Sequence, residues 1–166
     1  MNRVITIDGP SASGKGTLAI LLADRLNWEI LDSGALYRAF AYFSISENNK
    51  KLIEENLKKI SFHIVDNSIQ VLFKNEDISN YLRTEKTAIQ ASKISSMPST
   101  REILLPIQRL FSETSNLIAD GRDMGSVVFP DANLKFFLDA APEVRAKRRY
   151  LELQKKGQEV NMHDLI

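Results

Sequence analysis

The segment Gly9-Pro10-Ser11-Ala12-Ser13-Gly14-Lys15-Gly16-Thr17 sets a lysine behind two glycines at the spacing G-x-x-x-x-G-K. Glycines in such a loop let backbone N–H groups turn inward, and a helix opening at the lysine adds the partial positive charge of its N-terminus. That combination grips phosphate oxygens. Lys15 would reach the β- and γ-phosphates of a nucleotide, and Thr17 is the best-placed hydroxyl for a Mg2+ shell. Gly16 stands where a Ser or Thr usually follows the lysine, a small departure from the strict pattern. The plainer alternative is a flexible loop before a helix that starts with Lys. A strand-like run before the segment and a helical run after it favour the phosphate loop.

Two later constellations could serve the same chemistry. In Leu31-Asp32-Ser33-Gly34-Ala35-Leu36-Tyr37-Arg38, Ser33 could cap a helix beginning near residue 35, and Arg38 could point back at a bound anion. Simple capping beside a solvated arginine explains these residues equally well. Asp120-Gly121-Arg122-Asp123 follows a buried apolar run. A carboxylate at a strand's C-terminal end, in the sheet that carries a phosphate loop, is placed to organise Mg2+ or its water. Arg122 beside it offers a bidentate fork for phosphate. The alternative is a polar turn with a local ion pair, worth little if exposed. Arg145, Lys147, Arg148 and Arg149 form either a solvated helix face paired with Glu143 and Glu152, or a source of charge for a moving phosphoryl group. His63 and His163 have no partner at metal-ligand spacing, and Trp28 is expected in the core.

These residues need a scaffold that brings distant segments to one edge. Val4-Ile5-Thr6-Ile7 reads as a buried strand stopped by Asp8-Gly9-Pro10, and residues 15–26 carry apolar side chains at helical spacing. Strand, glycine-containing turn and helix open a parallel α/β unit. A second strand is expected around Trp28-Glu29-Ile30-Leu31, with a helix at about 35–44. Leu117-Ile118-Ala119-Asp120 and Leu134-Lys135-Phe136-Phe137-Leu138 read as further buried strands, flanked by helices at about 99–112 and 142–155. The middle differs. Residues 60–65 and 68–73 alternate with period two around Asp66-Asn67, a good tight-turn pair, so a local antiparallel hairpin marks about 41–95 as an insertion.

Composition narrows the classes. The chain has 166 residues, 22 Lys+Arg against 21 Asp+Glu, two His and no Cys. At about 100–200 residues per domain, one compact domain with a small insertion is expected. With 43% hydrophobic and 26% charged residues, the chain is too apolar for disorder and too mixed for a coiled coil. A net charge of +1 gives no general reason for nucleic acid or anionic membrane as partner, so phosphate chemistry must come from locally placed cations. Absence of Cys rules out thiolate metal sites and suits a reducing cytosol, so the cytoplasm is the expected location. The first 20 residues break at Asp8-Gly9-Pro10 and carry Lys15, unlike a signal peptide.

Taken together, the phosphate loop, the Ser33/Arg38 element and the 120–123 turn resemble the bacterial-type cytidylate kinase family. The resemblance covers essentially the whole chain. It runs through Asn75-Glu76-Asp77-Ile78-Ser79, Leu82-Arg83-Thr84-Glu85, Ala91-Ser92-Lys93, residues 98–108, Ile118 to Gly125, and Val127-Val128-Phe129-Pro130. It implies the α/β fold of P-loop nucleoside monophosphate kinases, a parallel sheet flanked by helices with a small hairpin-containing insertion. Residues 1–40 and 96–155 would form the core, 41–95 the nucleoside monophosphate-binding insertion, and 156–166 the start of a lid. The family's last strand and helix would follow Ile166, so the chain is expected to be part of a longer protein. The resemblance also implies transfer of the ATP γ-phosphoryl to CMP or dCMP with Mg2+, by a monomer acting on small molecules rather than nucleic acid or membrane. By motif position, Gly9, Pro10, Ser11, Ala12, Ser13, Gly14, Lys15, Gly16 and Thr17 would hold ATP. Lys15, Arg38 and Arg122 would be catalytic. Ser33, Tyr37, Arg38, Ser92, Arg101, Asp120, Arg122 and Asp123 would receive CMP, and Thr17 and Asp120 would serve Mg2+, Asp120 through water.

Overall fold

The β-branched run that opens the chain forms β1 (Val4–Asp8), buried along its whole length. A strand covered on both faces cannot alternate polar and apolar residues, which explains its continuous hydrophobic character. The computed structural model describes residues 2–155 and Gly157. With β2 (Glu29–Asp32), β6 (Leu117–Gly121) and β7 (Leu134–Phe137), β1 makes a parallel sheet in the order β2-β6-β1-β7. Register aligns the strand ends: Asp8 sits opposite Gly121, and Asp32 opposite Asp120. Three aspartates, 8, 32 and 120, therefore gather at the carboxyl edge, where open α/β sheets bind ligands.

Helix α1 (Lys15–Leu26) follows β1, and α2 (Ser33–Ser46) follows β2. The second helix starts earlier than its apolar pattern suggests, because Asp32 caps it by accepting the Ala35 N–H at 2.9 Å. Ser33 is thus the first helical residue, correcting the expectation that it is the cap. After α3 (Lys50–Leu57), β3 (Ile60–Val65) and β4 (Ser68–Phe73) form the expected hairpin. Asp66 and Asn67 both take positive φ (49° and 56°), the backbone that matches a two-residue turn to strand twist. Lys74 and Asn75 repeat the device and deliver β5 (Glu76–Asp77), a third antiparallel strand. Short α4 (Ser79–Leu82), α5 (Glu85–Ser95) and α6 (Pro98–Thr114) then return the chain to the parallel sheet.

One continuous core joins both sheets: Ile7, Leu31 and Ile118 pack in the same cluster as Ile53, Leu57, Phe62 and Val71. Trp28 is half-buried against it. Strand β7 departs from expectation. It is exposed, with Phe137 at 72%, because it lies at the sheet edge and pairs with β1 alone among the described residues. Its apolar side chains are therefore not covered by the described residues. The last described helix is α7 (Pro142–Lys155). Apart from Gly157, the expected lid start at 156–166, with His163, lies outside the described residues.

Candidate active site

The phosphate loop joins β1 to α1, and its geometry requires glycine at its mouth. A Cβ on Gly9 would lie 2.1 Å from the carbonyl oxygen of Leu138, whose own N–H donates to Asp8 O at 2.8 Å. Within the loop, Ser13 N–H donates to Pro10 O, and Ala12 holds a left-handed φ of 59°. Gly14 ends the loop and Lys15 begins the helix, so residues 15–17 present the N-terminal turn of α1. Arg148 reaches across from α7 and donates Nη1 to Ala12 O (3.2 Å) and Ser13 O (2.8 Å). Because a trans peptide sets N–H and C=O on opposite sides, the Gly14 N–H faces away from that guanidinium. Ser13 is buried, and its hydroxyl lacks a hydrogen-bond partner among the described residues.

Lys15 extends its ammonium to 3.5 Å from Asp120 Oδ1. Asp120 is 6% exposed. Burial pushes its carboxyl up to about 6; Lys15 opposes the shift, while Asp32 and Asp8 reinforce it. Beyond this long contact with Lys15, Asp120 Oδ1 has no hydrogen-bond partner among the described residues. Gly16 lies above the same carboxylate, and a Cβ there would stand 3.3 Å from Oδ2. A buried, under-satisfied carboxylate beneath a position without a side chain fits a hard divalent cation or its water. Although Asp8, Asp32 and Asp120 share this edge, they do not form a group that could hold a metal ion among the described residues, so such an ion would draw most of its ligands from water and phosphate. Thr17 is exposed on the first turn of α1 and is not among the residues lining the adjoining cleft.

That cleft, of about 730 Å³, brings the donor loop and the acceptor candidates together. Ser11 and Lys15 line it from the loop, Ser33, Tyr37 and Arg38 from α2, and Ser92 from α5. Arg101 from α6 and residues 120–123 complete the wall. Arg101 and Asp123, both expected to receive CMP, form an ion pair with each other. Arg38 and Arg122 are exposed to the cleft and have no ion-pair partner among the described residues. They are the free cations of this site. Burial raises the Tyr37 hydroxyl above its usual range, with Arg101 opposing the shift and Asp123 adding to it. Ser33 is buried, and Gln108 donates to its hydroxyl at 3.0 Å.

Three polar residues of this architecture escaped sequence reasoning: Asp8, Gln108 and Arg109. Gln108 lies on the buried face of α6, and a polar residue in register with Leu104 and Ile107 was the available signal. Of the late basic cluster, Arg149 pairs with Glu152 at 3.0 Å as a solvated face would, and Arg145 donates to Ala140 O. Arg148 fits neither reading, since it holds loop carbonyls.

Comparison with known proteins gives the architecture its family. The cytidylate kinase family model matches residues 5–166. A cytidylate kinase of Pseudomonas putida (strain W619) is 51% identical over 171 residues, covering 98% of this chain and 75% of that protein. Cytidylate kinases of Aeromonas salmonicida (strain A449) and Salmonella arizonae are 49% and 47% identical, over 100% and 98% of this chain. This chain spans about three quarters of the length of these relatives. A phosphate loop facing two unpaired arginines, on a sequence half identical to such enzymes, belongs to the cytidylate kinase family.

Proposed function

We propose that the chain transfers the γ-phosphoryl group of ATP to CMP or dCMP, with acceptor and donor meeting in the cleft between the 9–17 loop and Arg38/Arg122. The observation that carries this proposal is the single cavity shared by Lys15, two arginines without ion-pair partners and the Arg101–Asp123 pair. Lys15 and the α1 N-terminus hold the donor phosphates and follow the charge as it moves. Arg38 and Arg122 grip the α-phosphate of the acceptor and fix its attacking oxygen in line. No covalent intermediate is required, because phosphoryl transfer between nucleotides needs positioning and charge stabilisation above all. Asp120, through water, and Thr17 would hold Mg2+, which would supply positive charge to the donor phosphates.

Asp123 and Arg101 would read the base. Cytosine offers an N4 amino donor beside N3 and O2 acceptors, complementary to a carboxylate and a guanidinium. Uracil turns the C4 donor into an acceptor and sets an oxygen against Asp123. A panel of CMP, dCMP, UMP and AMP with ATP, followed by ADP release and identification of the diphosphate, tests the assignment. CMP or dCMP should be the best acceptor by kcat/KM. A faster reaction with AMP or UMP would overturn the assigned roles of Arg101 and Asp123.

A further inference from the structure

The turn that follows Asp123 is held at both ends by charges from other elements. Residues Met124–Val128 form a π-helical turn, with Val128 N–H donating to Asp123 O at 3.2 Å and Phe129 N–H to Met124 O at 2.7 Å. A single wide turn leaves N–H groups unmatched at its start and carbonyls at its end. At the start, the carboxylate of Asp8 accepts from Met124 N–H (2.7 Å) and Gly125 N–H (2.8 Å), one oxygen to each. Both bonds are buried. At the end, Arg109 of α6 donates Nε to Val128 O (2.9 Å) and Nη2 to Val127 O (3.1 Å). An anion at the N-terminal end and a cation at the C-terminal end match the dipole of the turn. Gly125 permits the fit, because a Cβ there would come within 2.7 Å of Thr6 Oγ1 and 3.3 Å of Asp8 Oδ2.

We propose that Asp8 and Arg109 are positioning residues for the acceptor nucleotide, acting through this turn to fix the Arg122–Asp123 pair. Neither lines the cleft. Asp123 is the residue from which the turn springs, and its carbonyl accepts both Val127 and Val128 N–H. A turn free to rotate would swing the Asp123 carboxylate away from Arg101 and the Arg122 fork away from its phosphate. Side chains on a loop hold sub-ångström positions only where surrounding hydrogen bonds fix the backbone. Asp8 has a second consequence of place. It ends the strand that feeds the phosphate loop, so one carboxylate ties the turn carrying the acceptor groups to the root of the donor loop.

The inference rests on the assignment of Arg122 and Asp123 to the acceptor. Asp8→Asn keeps shape but turns an N–H donor toward one of the two backbone donors. Its KM for CMP should rise at least about tenfold while its KM for ATP stays within about threefold, since the phosphate loop backbone is untouched. Arg109→Gln, at an exposed position, tests the opposite end without altering charge near Lys15. A rise of about three- to fivefold in KM for CMP is expected, with partial recovery in Arg109→Lys. Equal losses toward ATP and CMP in the Arg109 pair, or an unchanged KM for CMP, would overturn the proposal. Should Asp8→Asn fail to fold, the Arg109 pair decides alone. Asp123→Ala run alongside separates the two ideas. If it impairs CMP use while Asp8→Asn and Arg109→Gln do not, positioning fails and the acceptor assignment stands. If Asp123→Ala also leaves CMP use intact, both fall.

Discussion

Two turns, each leaving the carboxyl end of a neighbouring parallel strand, are held in opposite ways. The 9–17 loop leaves β1 and the 121–128 turn leaves β6, and the strand ends are in register at Asp8 and Gly121. In the first, cations of other elements hold carbonyls, as Arg148 does at Ala12 and Ser13, and leave the N-terminal turn of α1 for the ligand. In the second, the leading N–H groups are already taken by Asp8. On the proposed reading, anion capture there falls to side chains, Arg122 together with Arg38. A backbone cradle recognises any polyphosphate. A side-chain site can recognise one nucleotide, because its groups can be chosen singly. The contrast explains why a shared donor and a selective acceptor sit side by side on one sheet edge.

The comparison predicts separable defects, the largest on the donor side. Lys15→Ala should lower kcat by at least about 10²-fold in steady-state assays with ATP and CMP, since it removes a preorganised charge at the transferring group. Turnover within a few-fold of the unaltered chain would take Lys15 out of the chemistry. The boundary between the turns is Asp120, whose folded-state value of about 6 exceeds the usual 3.8. Below that usual value the group is protonated in both states and contributes nothing. As pH rises through about 4 to 6 the unfolded chain ionises first, so the metal-free protein loses up to about 3 kcal/mol of stability, fully lost above pH 6. Denaturation in chelator at pH 5 and pH 7 should show that loss, and Asp120→Asn should flatten it and raise the pH 7 midpoint. A pH dependence unaltered by Asn would rule out burial of this charge as its source.

On the acceptor side, Asp123→Ala should raise KM for CMP and narrow the preference over UMP by about 10- to 100-fold, with KM for ATP little changed. An unaltered CMP/UMP ratio would remove Asp123 from base reading. The smallest effect belongs to Arg148→Gln. Loosening the loop carbonyls should raise KM for ATP about three- to fivefold and leave KM for CMP alone. If the CMP term moved instead, the division between the turns would be wrong.

What could be read in advance follows the same division. The phosphate loop was legible because its chemistry lies in local spacing, and the hairpin because Asp66-Asn67 carries its own turn backbone. Partnerships across the fold were not. Nothing in the spacing of Asp8 and Met124, 116 residues apart, announces a hydrogen bond. Asp32 and Ser33 are both good helix caps, and the choice between them depends on where β2 stops. The apolar 134–137 run reads as interior because edge and centre strands are not told apart by composition when the strand is short. Gln108 and Arg148 gain meaning only when α6 and α7 pack against segments far away in the chain.

The Arg101–Asp123 ion pair carries one more implication. The two side chains pair with each other half in solvent, where such a contact is worth no more than about 1 kcal/mol. On the proposed reading, a base that drew on both groups would exchange a weak contact for its own hydrogen bonds, and a ring edge with a donor for one and an acceptor for the other would gain most. A mismatched guest leaves one of them stranded. Selectivity would then rest on a small exchange at one exposed pair rather than on a rigid, buried template.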